Sequence, residues 1–354
     1  MITRRNFLAT SALALGAIPA ARAAETERIR IGQVGTSHSH ASGKMEAIRS
    51  LGEIYEVVGL AEPDQRAHVP RSKHQAYEGL TWKSEVELLA EPNLRAVAVE
   101  LDLDEAAAAA SRAIHAGKHV HLDKPGAASH AAFKTMREEA ERRRLIVQMG
   151  YMLRYNPAFQ LLFRAAREGW FGEITEIDAS MGKLSPDGHR ATLAKYPGGG
   201  MFELACHLVD AVVTVLGKPQ AVHAFGKATR GPADPFPDNQ LAVLEYPKAS
   251  VTLRCNHADP FGGPRRRFQI VGTKGGMEIV PLESGKASLF LSEARDGYAK
   301  GQQTIALKVP ANRYADEFRD FAAAIRQEKP FAWSAAHDIA VHETALRAAG
   351  AWLD

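Results

Sequence analysis

Residues 118–125 read Lys118-His119-Val120-His121-Leu122-Asp123-Lys124-Pro125, and this stretch decides how the first half of the chain folds. Its apolar part predicts a buried strand from Lys118 to Leu122. Parallel sheets bind ligands at the carboxyl ends of their strands, so Lys124 is expected to face a bound ligand. Pro125 keeps Lys124 out of helical backbone angles and ends the strand, which favours a fixed direction for the amine. The alternative interpretation is an ordinary turn with a solvated lysine.

Short apolar runs and helical segments alternate on both sides of this stretch, a pattern typical of a doubly wound parallel sheet. The predicted strands are Ile29 to Val34, Tyr55 to Ala61, Ala96 to Val99, Lys118 to Leu122 and Leu145 to Met149. Ser84 and Ser129 are predicted to cap helices, and Gly117 is predicted to end an alanine-rich helix that starts at Asp104. The sequence therefore predicts an α/β domain over residues 24–150.

The pattern changes around Gly150, and residues 151–354 predict an α+β domain with an open, largely antiparallel sheet. The predicted strands are Glu173 to Met181, Gln240 to Tyr246, Ser250 to Asn256, Arg267 to Val271, Gly276 to Val280, Ala287 to Leu291 and Thr304 to Val309. Connections as short as Pro247-Lys248-Ala249 require antiparallel neighbours, because parallel strands need a long crossover. The predicted helices are Pro157 to Gly169, Met201 to Leu216, Tyr314 to Gln327 and Ser334 to Leu353, the last two able to pack back on the first domain.

The first residues predict an export signal of the twin-arginine type. Thr3-Arg4-Arg5-Asn6-Phe7-Leu8 opens a weakly apolar run, and Ala21-Arg22-Ala23 offers a cleavage site between small residues. We expect residues 1–23 to direct the chain through the twin-arginine translocase to the periplasm and then to be removed. That route carries folded proteins, and the periplasm holds no pool of free nucleotide. A nucleotide-dependent enzyme exported in this way should therefore hold its cofactor tightly.

Composition and charge argue against a nucleic-acid or membrane protein. The 354 residues are 45% hydrophobic and 24% charged, as expected for a globular chain of two domains. Residues 1–23 hold three of the 44 basic residues and no acid, so the mature chain has 41 basic residues against 41 acidic ones. Such a neutral chain predicts no nucleic-acid partner, and no segment after the signal predicts a membrane span. Cys206 and Cys255 are interpreted as two buried thiols.

Two motifs indicate where a nucleotide and a substrate would bind. The first strand ends in Gly35-Thr36-Ser37-His38, where a dinucleotide site needs a tight turn that lets the backbone approach a pyrophosphate. Glu62 follows the second strand, where a carboxylate would hold the ribose hydroxyls and repel a 2′-phosphate, which favours NAD over NADP. In the second domain Gly198-Gly199-Gly200 precedes Glu203 and His207, which lie four residues apart and would share one helix face with Asp210.

Taken together, Gly35, Glu62, Asp123-Lys124-Pro125, residues 150–157 and the Gly198–His207 stretch resemble the Gfo/Idh/MocA oxidoreductases over essentially the whole mature chain. The resemblance implies a Rossmann domain that binds NAD or NADP, and a second domain that binds sugars or polyols and forms homo-oligomers. It also implies that His207 is the catalytic base and Lys124 polarises the substrate oxygen. Glu203 would orient His207 or bind a neighbouring hydroxyl.

The same resemblance places Arg154 and Tyr155 in the substrate pocket, with Asp210 close by. The sequence departs from the family pattern at Ser37, which replaces a glycine of the phosphate loop, and at residues 99–104, which replace a Thr-Pro-x-x-x-His stretch beside the nicotinamide. Asp123 replaces a glutamate.

Three other functions remain open from the sequence. One is a lyase or glycoside hydrolase that oxidises its substrate transiently and returns the hydride. Another is a metal-dependent enzyme without nucleotide, whose candidate ligands are His38, His40, His121, Glu203, His207 and His257. The last is a sugar-binding protein without turnover.

Overall fold

A computed structural model describes residues 27–64 and 71–352 of the chain. The predicted export signal, residues 1–23, lies outside these described residues. The described part contains a five-stranded sheet in its first half and an eight-stranded sheet in its second half. Within it, no helix is both long enough and apolar enough to cross a membrane.

The first sheet is parallel throughout, as predicted. Its strands are β1 (Ile29–Val34), β2 (Tyr55–Ala61), β3 (Ala96–Val99), β4 (His119–Leu122) and β5 (Val147–Met149). They lie in the order β2-β1-β3-β4-β5, so the chain moves out to one side of β1 and then to the other. At such a switch point the connections that follow the two neighbouring strands leave toward opposite sides. The crevice between them, outside the carboxyl ends of the strands, is where open α/β sheets bind ligands. Strand β4 is fully buried at Leu122, immediately before Asp123 and Lys124.

The helices of the first domain begin and end where local signals predict. They are α1 (Ala41–Ser50), α2 (Glu85–Leu89), α3 (Leu103–His115) and α4 (His130–Arg142). Ser84 caps α2 in a reciprocal capping box with Glu87, and Ser129 caps α4 through the backbone N–H of Ala132. Gly117 follows α3 with a φ of 76°, a conformation that glycine adopts without strain. These predictions are confirmed.

The second sheet is mixed and mostly antiparallel. Its strands are β6 (Ile174–Gly182), β7 (Ala221–Lys227), β8 (Asn239–Glu245), β9 (Ser250–Asn256), β10 (Arg267–Gly272), β11 (Gly275–Ile279), β12 (Lys286–Leu291) and β13 (Gly301–Ala306). The order is β13-β12-β11-β10-β6-β9-β8-β7, and only β6 and β9 pair in parallel. Strand β7 was not predicted, because it is a largely exposed edge strand without a buried face.

The helices of the second half include one correction to the sequence analysis. They are α5 (Pro157–Arg167), α6 (Asp187–Leu193), α7 (Gly199–Glu203), α8 (Cys206–Leu216), α9 (Ala315–Ile325) and α10 (Ala335–Ala348). The single helix predicted from Met201 to Leu216 is wrong, since the chain breaks between α7 and α8. In a continuous helix the carbonyl of Glu203 would accept the N–H of His207. Here it accepts the Lys124 ammonium at 2.8 Å and the Cys206 thiol at 3.3 Å instead.

Helix α9 belongs to the second half of the sequence but packs against the first sheet. Phe318 and Phe321 are fully buried there, in one apolar cluster with residues of β1, α1 and β3. The hydroxyl of Tyr55 on β2 donates a hydrogen bond to the carbonyl of Phe318 at 2.6 Å. The described chain therefore returns from the second sheet to complete the core of the first.

Candidate active site

The candidate site lies at the switch point of the first sheet. Gly35 follows β1, Glu100 follows β3 and Lys124 follows β4, so all three come to the same edge. Gly35 has a φ of 88°, and an added Cβ would lie 2.5 Å from the Leu101 side chain. Only glycine fits this turn. A narrow cavity opens here, and its lining includes His38, Leu101, Lys124 and Glu203.

Lys124 is fixed by Glu203 from the second domain. Its ammonium donates to a Glu203 carboxylate oxygen at 2.6 Å and to the Glu203 carbonyl at 2.8 Å, and the lysine is 3% exposed. Burial alone would lower the pKa of Lys124, but Glu203 outweighs that effect and raises the pKa above its ordinary value. Burial would likewise raise the pKa of Glu203, but Lys124 and Lys183 lower it well below its usual range. Both groups are charged near neutral pH.

His207 is buried beside this ion pair. Burial lowers the pKa of His207 well below its ordinary value, and the positive charge of Lys124 lowers it further. The imidazole is therefore neutral near neutral pH and can accept a proton. Its Nδ1 is buried without a hydrogen-bond partner among the described residues, and so is Oε2 of Glu203. The ring packs edge-on against Tyr151, with centroids 5.8 Å apart.

Glu203 and His207 do not form the pair that the sequence predicts. The break between α7 and α8 separates them, and the Glu203 carboxylate binds Lys124. The expectation that Glu203 orients His207 has no contact to support it among the described residues. The structure instead brings together Lys124 of the first domain and Glu203 of the second.

Arg154 and Asp210 lie close together, and neither lines the cavity at Lys124. Arg154 is fully buried, and its Nη2 contacts both Asp210 and Asp338 at 2.6 Å. Its guanidinium also stacks on Trp333, 4.0 Å from the ring centroid. Burial alone would lower the pKa of Arg154, but the two carboxylates outweigh burial and raise the pKa above its ordinary value. The observed contacts tie α8 to α10, and a role for Arg154 or Asp210 in substrate binding stays a prediction.

Tyr155 lines a separate, open cleft of about 680 Å³, whose polar lining includes Arg319, Asp320 and His337. Its hydroxyl accepts from the Gln148 amide and donates to Asp320 at 3.2 Å. The predicted contact of Tyr155 with substrate also stays a prediction.

The loop after β1 is held by Glu62. The backbone N–H of Thr36 donates to Oε2 of Glu62 at 2.6 Å, and the Thr36 hydroxyl donates to the same oxygen at 2.5 Å. The other oxygen of Glu62 accepts the backbone N–H of Asp64 at 2.9 Å. Ser37 is partly exposed just beyond, and no side chain caps the first turn of α1. This end of α1 can therefore face an anion, as in dinucleotide sites.

His38 and His40 turn toward Asp123. Their Nδ1 atoms lie 2.6 Å and 2.9 Å from the same oxygen of Asp123. Of the other predicted metal ligands, His121 lies against Glu317, and Glu203 pairs with Lys124, as described above. His257 lies apart, near the Cys255 thiol at 3.6 Å. The predicted set of metal ligands does not come together as one site.

The sequence analysis missed two side chains beside Lys124 and Glu203, those of Tyr196 and Lys183. Tyr196 lines the same cavity, and Lys183 at the end of β6 lowers the pKa of Glu203. Nζ of Lys183 lies 3.4 Å from Nε2 of His189. The other ring nitrogen of His189, Nδ1, lies 3.0 Å from the Ser185 hydroxyl. The turn after β6 carried a usable signal, since Lys183 lies two residues after the strand predicted from Glu173 to Met181.

Two family models match this chain. Residues 29–151 match the model described as "Oxidoreductase family, NAD-binding Rossmann fold", and residues 159–278 match the model described as "GFO/IDH/MocA C-terminal domain". Both models belong to the same family, and together they span more than half of the chain.

Curated relatives with dehydrogenase names are similar in sequence. Trans-1,2-dihydrobenzene-1,2-diol dehydrogenase of Bos taurus is 28% identical over 196 residues, which cover 54% of this chain and 57% of that protein. The scyllo-inositol 2-dehydrogenase (NADP(+)) IolW of Bacillus subtilis is 27% identical over 162 residues, 45% of this chain and 44% of that protein. The chain spans less than two thirds of the length of these two relatives.

Solved structures share the fold over nearly the whole chain. Levoglucosan dehydrogenase in complex with NADH and levoglucosan has a TM-score of 0.79 at 17% identity, covering 92% of this chain and 97% of that one. UDP-N-acetylglucosamine 3-dehydrogenase from Acidithiobacillus ferrooxidans has a TM-score of 0.75 at 19% identity, covering 92% and 98%. At this identity the likeness establishes the fold alone.

Proposed function

Because the chain belongs to the GFO/IDH/MocA oxidoreductase family, whose first domain is an NAD-binding Rossmann fold, we propose that it oxidises a secondary alcohol of a sugar or polyol to a ketone. The named relatives support this substrate class, since they include dehydrogenases of an inositol, a dihydrodiol and levoglucosan.

The observation that carries the proposal is the pairing of Lys124 with Glu203 next to a neutral His207. A lysine at the carboxyl edge of the first sheet meets a carboxylate of the second domain at 2.6 Å. The pair stays charged because each group stabilises the other's charge strongly enough to outweigh burial, which alone would favour the neutral forms. Alcohol oxidation needs a base and a group that stabilises the charge developing on oxygen, and a neutral imidazole and a fixed ammonium can supply these two functions.

The roles of the side chains follow from their charge states. A bound NAD would supply the hydride acceptor at this edge of the sheet. His207 takes the hydroxyl proton of the substrate while the C–H bond gives up its hydride, so that the alcohol loses two electrons and two hydrogens. Lys124 donates a hydrogen bond to the same oxygen and stabilises the negative charge that grows on it. Glu203 keeps Lys124 charged and in place.

The described residues fit a dinucleotide at the loop after β1. Gly35 makes the turn that a Cβ would block, and the uncapped first turn of α1 faces the same edge. Thr36, Ser37 and His38 would border the pyrophosphate. Glu62 would face the ribose, and its carboxylate favours NAD because it repels a 2′-phosphate. We propose that the cofactor stays bound through turnover, which is what an exported nucleotide enzyme requires.

Export and assembly are part of the proposal. The twin-arginine signal in residues 1–23 supports a periplasmic enzyme that leaves the cytoplasm with its cofactor already bound. The second sheet supports a homo-oligomer, because Phe290 on β12 is 38% exposed and Phe225 on β7 is 56% exposed. Large apolar side chains on an open sheet face are typical of an interface.

The test is turnover of the purified, cofactor-loaded protein. Nucleotide released by denaturation is identified by mass spectrometry, and the loaded protein is then mixed with sugars and polyols while nicotinamide absorbance is followed. We expect reduction of the bound cofactor and a ketone product. Lys124→Ala should abolish reduction without loss of nucleotide, whereas Lys118→Ala, at the other end of β4, should not. A product that has lost a leaving group, with the cofactor back in its starting state, would replace oxidation by elimination. Absence of nucleotide would overturn the proposal.

A further inference from the structure

A group of buried acids behind the loop after β1 lacks enough positive charge. Glu100 and Glu317 are fully buried and Asp123 is 5% exposed. The single buried ammonium among them is Lys44, which lies 3.1 Å from Glu317 and 3.5 Å from Asp123. Three carboxylates therefore stand against one ammonium in this cluster. Buried charge of this size requires compensation.

Glu100 shows where the compensation is missing. Neither of its carboxylate oxygens has a hydrogen-bond partner among the described residues. The nearest nitrogens are Nδ1 of His38 at 3.7 Å and Nδ1 of His121 at 3.8 Å. A fully buried carboxylate without a hydrogen bond is rare, and each such group calls for an explanation. Here the carboxylate faces His38.

The ligand atoms converge in front of Glu100. His38 and His40 direct their Nδ1 atoms at one oxygen of Asp123, and the three atoms lie within 4.8 Å of one another. Two imidazole nitrogens and a carboxylate oxygen form a donor set that suits a borderline divalent metal such as Zn²⁺. Around such an ion, with bonds of about 2.1 Å, tetrahedral ligand atoms lie about 3.4 Å apart. The separations of the two nitrogens from the Asp123 oxygen, 2.6 Å and 2.9 Å, would each need to widen by less than an ångström.

We infer that His38, His40 and Asp123 bind one divalent transition-metal ion of the Zn²⁺ type, and that Glu100, now 3.7 Å from Nδ1 of His38, moves toward the ion as its fourth ligand. The ion compensates the excess of negative charge and fixes the loop between β1 and α1. His38 and Asp123 line the same cavity as Lys124 and Glu203, but binding of the ion does not depend on which substrate the chain oxidises.

The test titrates the full chain, without a histidine tag or added nucleotide, with Co²⁺ alone after treatment with a chelator. We expect one ion per chain, visible absorption bands typical of nitrogen ligands, and displacement by Zn²⁺. His38→Gln and His40→Gln should each weaken binding at least tenfold. His115→Gln, at an exposed position on α3, is the matched control and should bind as the unaltered chain does.

Two results would overturn the site. One is an unaltered chain that binds no Co²⁺ or shows no bands from nitrogen ligands, a measurement that needs no variant to fold. The other is equal Co²⁺ affinity in the unaltered chain and in the two loop variants. Because the probe is the metal alone, neither result bears on the proposed oxidation.

Discussion

A double-mutant cycle on Lys124 and Glu203 tests the central contact between the two domains. Glu203→Gln leaves the Lys124 ammonium without its partner, in a side chain that is 2% exposed. Removing one member of a buried ion pair typically costs about 3 to 5 kcal/mol in the free energy of unfolding. Lys124→Met strands the Glu203 carboxylate instead, and because that side chain is 13% exposed we expect the lower end of this range.

The double variant removes both charges while keeping the side-chain volumes. No charge is then left unpaired, so we expect it to cost about as much as Glu203→Gln alone, which makes the coupling energy equal to the cost of Lys124→Met, about 3 kcal/mol. Urea denaturation followed by tryptophan fluorescence gives the free energies of unfolding. The matched control is the pair Lys248–Glu173, which meets at 2.5 Å but is 65% and 48% exposed. Its coupling should be about 0.2 to 1 kcal/mol.

The coupling should also depend on pH in a defined direction. The pKa of Glu203 is lowered in the folded chain, so its contribution is complete above the ordinary value of 4.5 and is lost as the pH falls through the lowered pKa. The pKa of Lys124 is raised, so its contribution is complete below 10.5 and is lost as the pH rises through the raised pKa. Effects of the two single variants that add within about 0.5 kcal/mol at neutral pH would refute the reasoning.

Three further predictions concern the base, the turn and the cofactor. His207→Asn should lower kcat about 100- to 10,000-fold with unchanged nucleotide content, and an unchanged kcat would exclude His207 as the base. The unaltered enzyme should lose activity in acid only well below pH 6.5, where His207 becomes protonated. Gly35→Ala should lower the amount of nucleotide retained on purification at least tenfold, because the added Cβ would lie 2.5 Å from the Leu101 side chain. Gly79→Ala is the control, since Gly79 also has a positive φ but has open space where a Cβ would lie. Equal loss of nucleotide in both variants would contradict a role for the contact with Leu101. Glu62→Gln should raise the NADP to NAD affinity ratio about tenfold in a fluorescence titration, because the repelling charge is gone; an unchanged ratio would show that Glu62 does not face the ribose.

The sequence predicted those parts of the fold that depend on local signals. Ser84 with Glu87 and the glycine after α3 marked helix ends through their own backbone chemistry. Lys124 was predicted at the edge of the sheet because the end of a buried strand is readable from its apolar run. These features need no knowledge of what lies across the molecule.

The features that the sequence did not predict depend on distant contacts. The break after Glu203 arises because Lys124, 79 residues earlier, takes the carbonyl that would have continued the helix. The burial of Arg154 depends on Asp338 in the last helix, which no local pattern connects to it. The parallel pairing of β6 with β9 likewise follows from the order of the whole sheet. Local propensity is overridden by tertiary contacts at these positions.

The return of helix α9 to the first sheet sets the order in which the chain can fold during synthesis. A ribosome releases the strands of the first sheet long before it adds Phe318 and Phe321, which cover that sheet in the finished molecule. The carboxylate of Glu317, which faces Lys44, arrives equally late. The first domain therefore cannot complete its core from its own residues, and final folding has to wait until translation is nearly finished. A fragment that ends at residue 150 would expose an apolar sheet face and tend to aggregate.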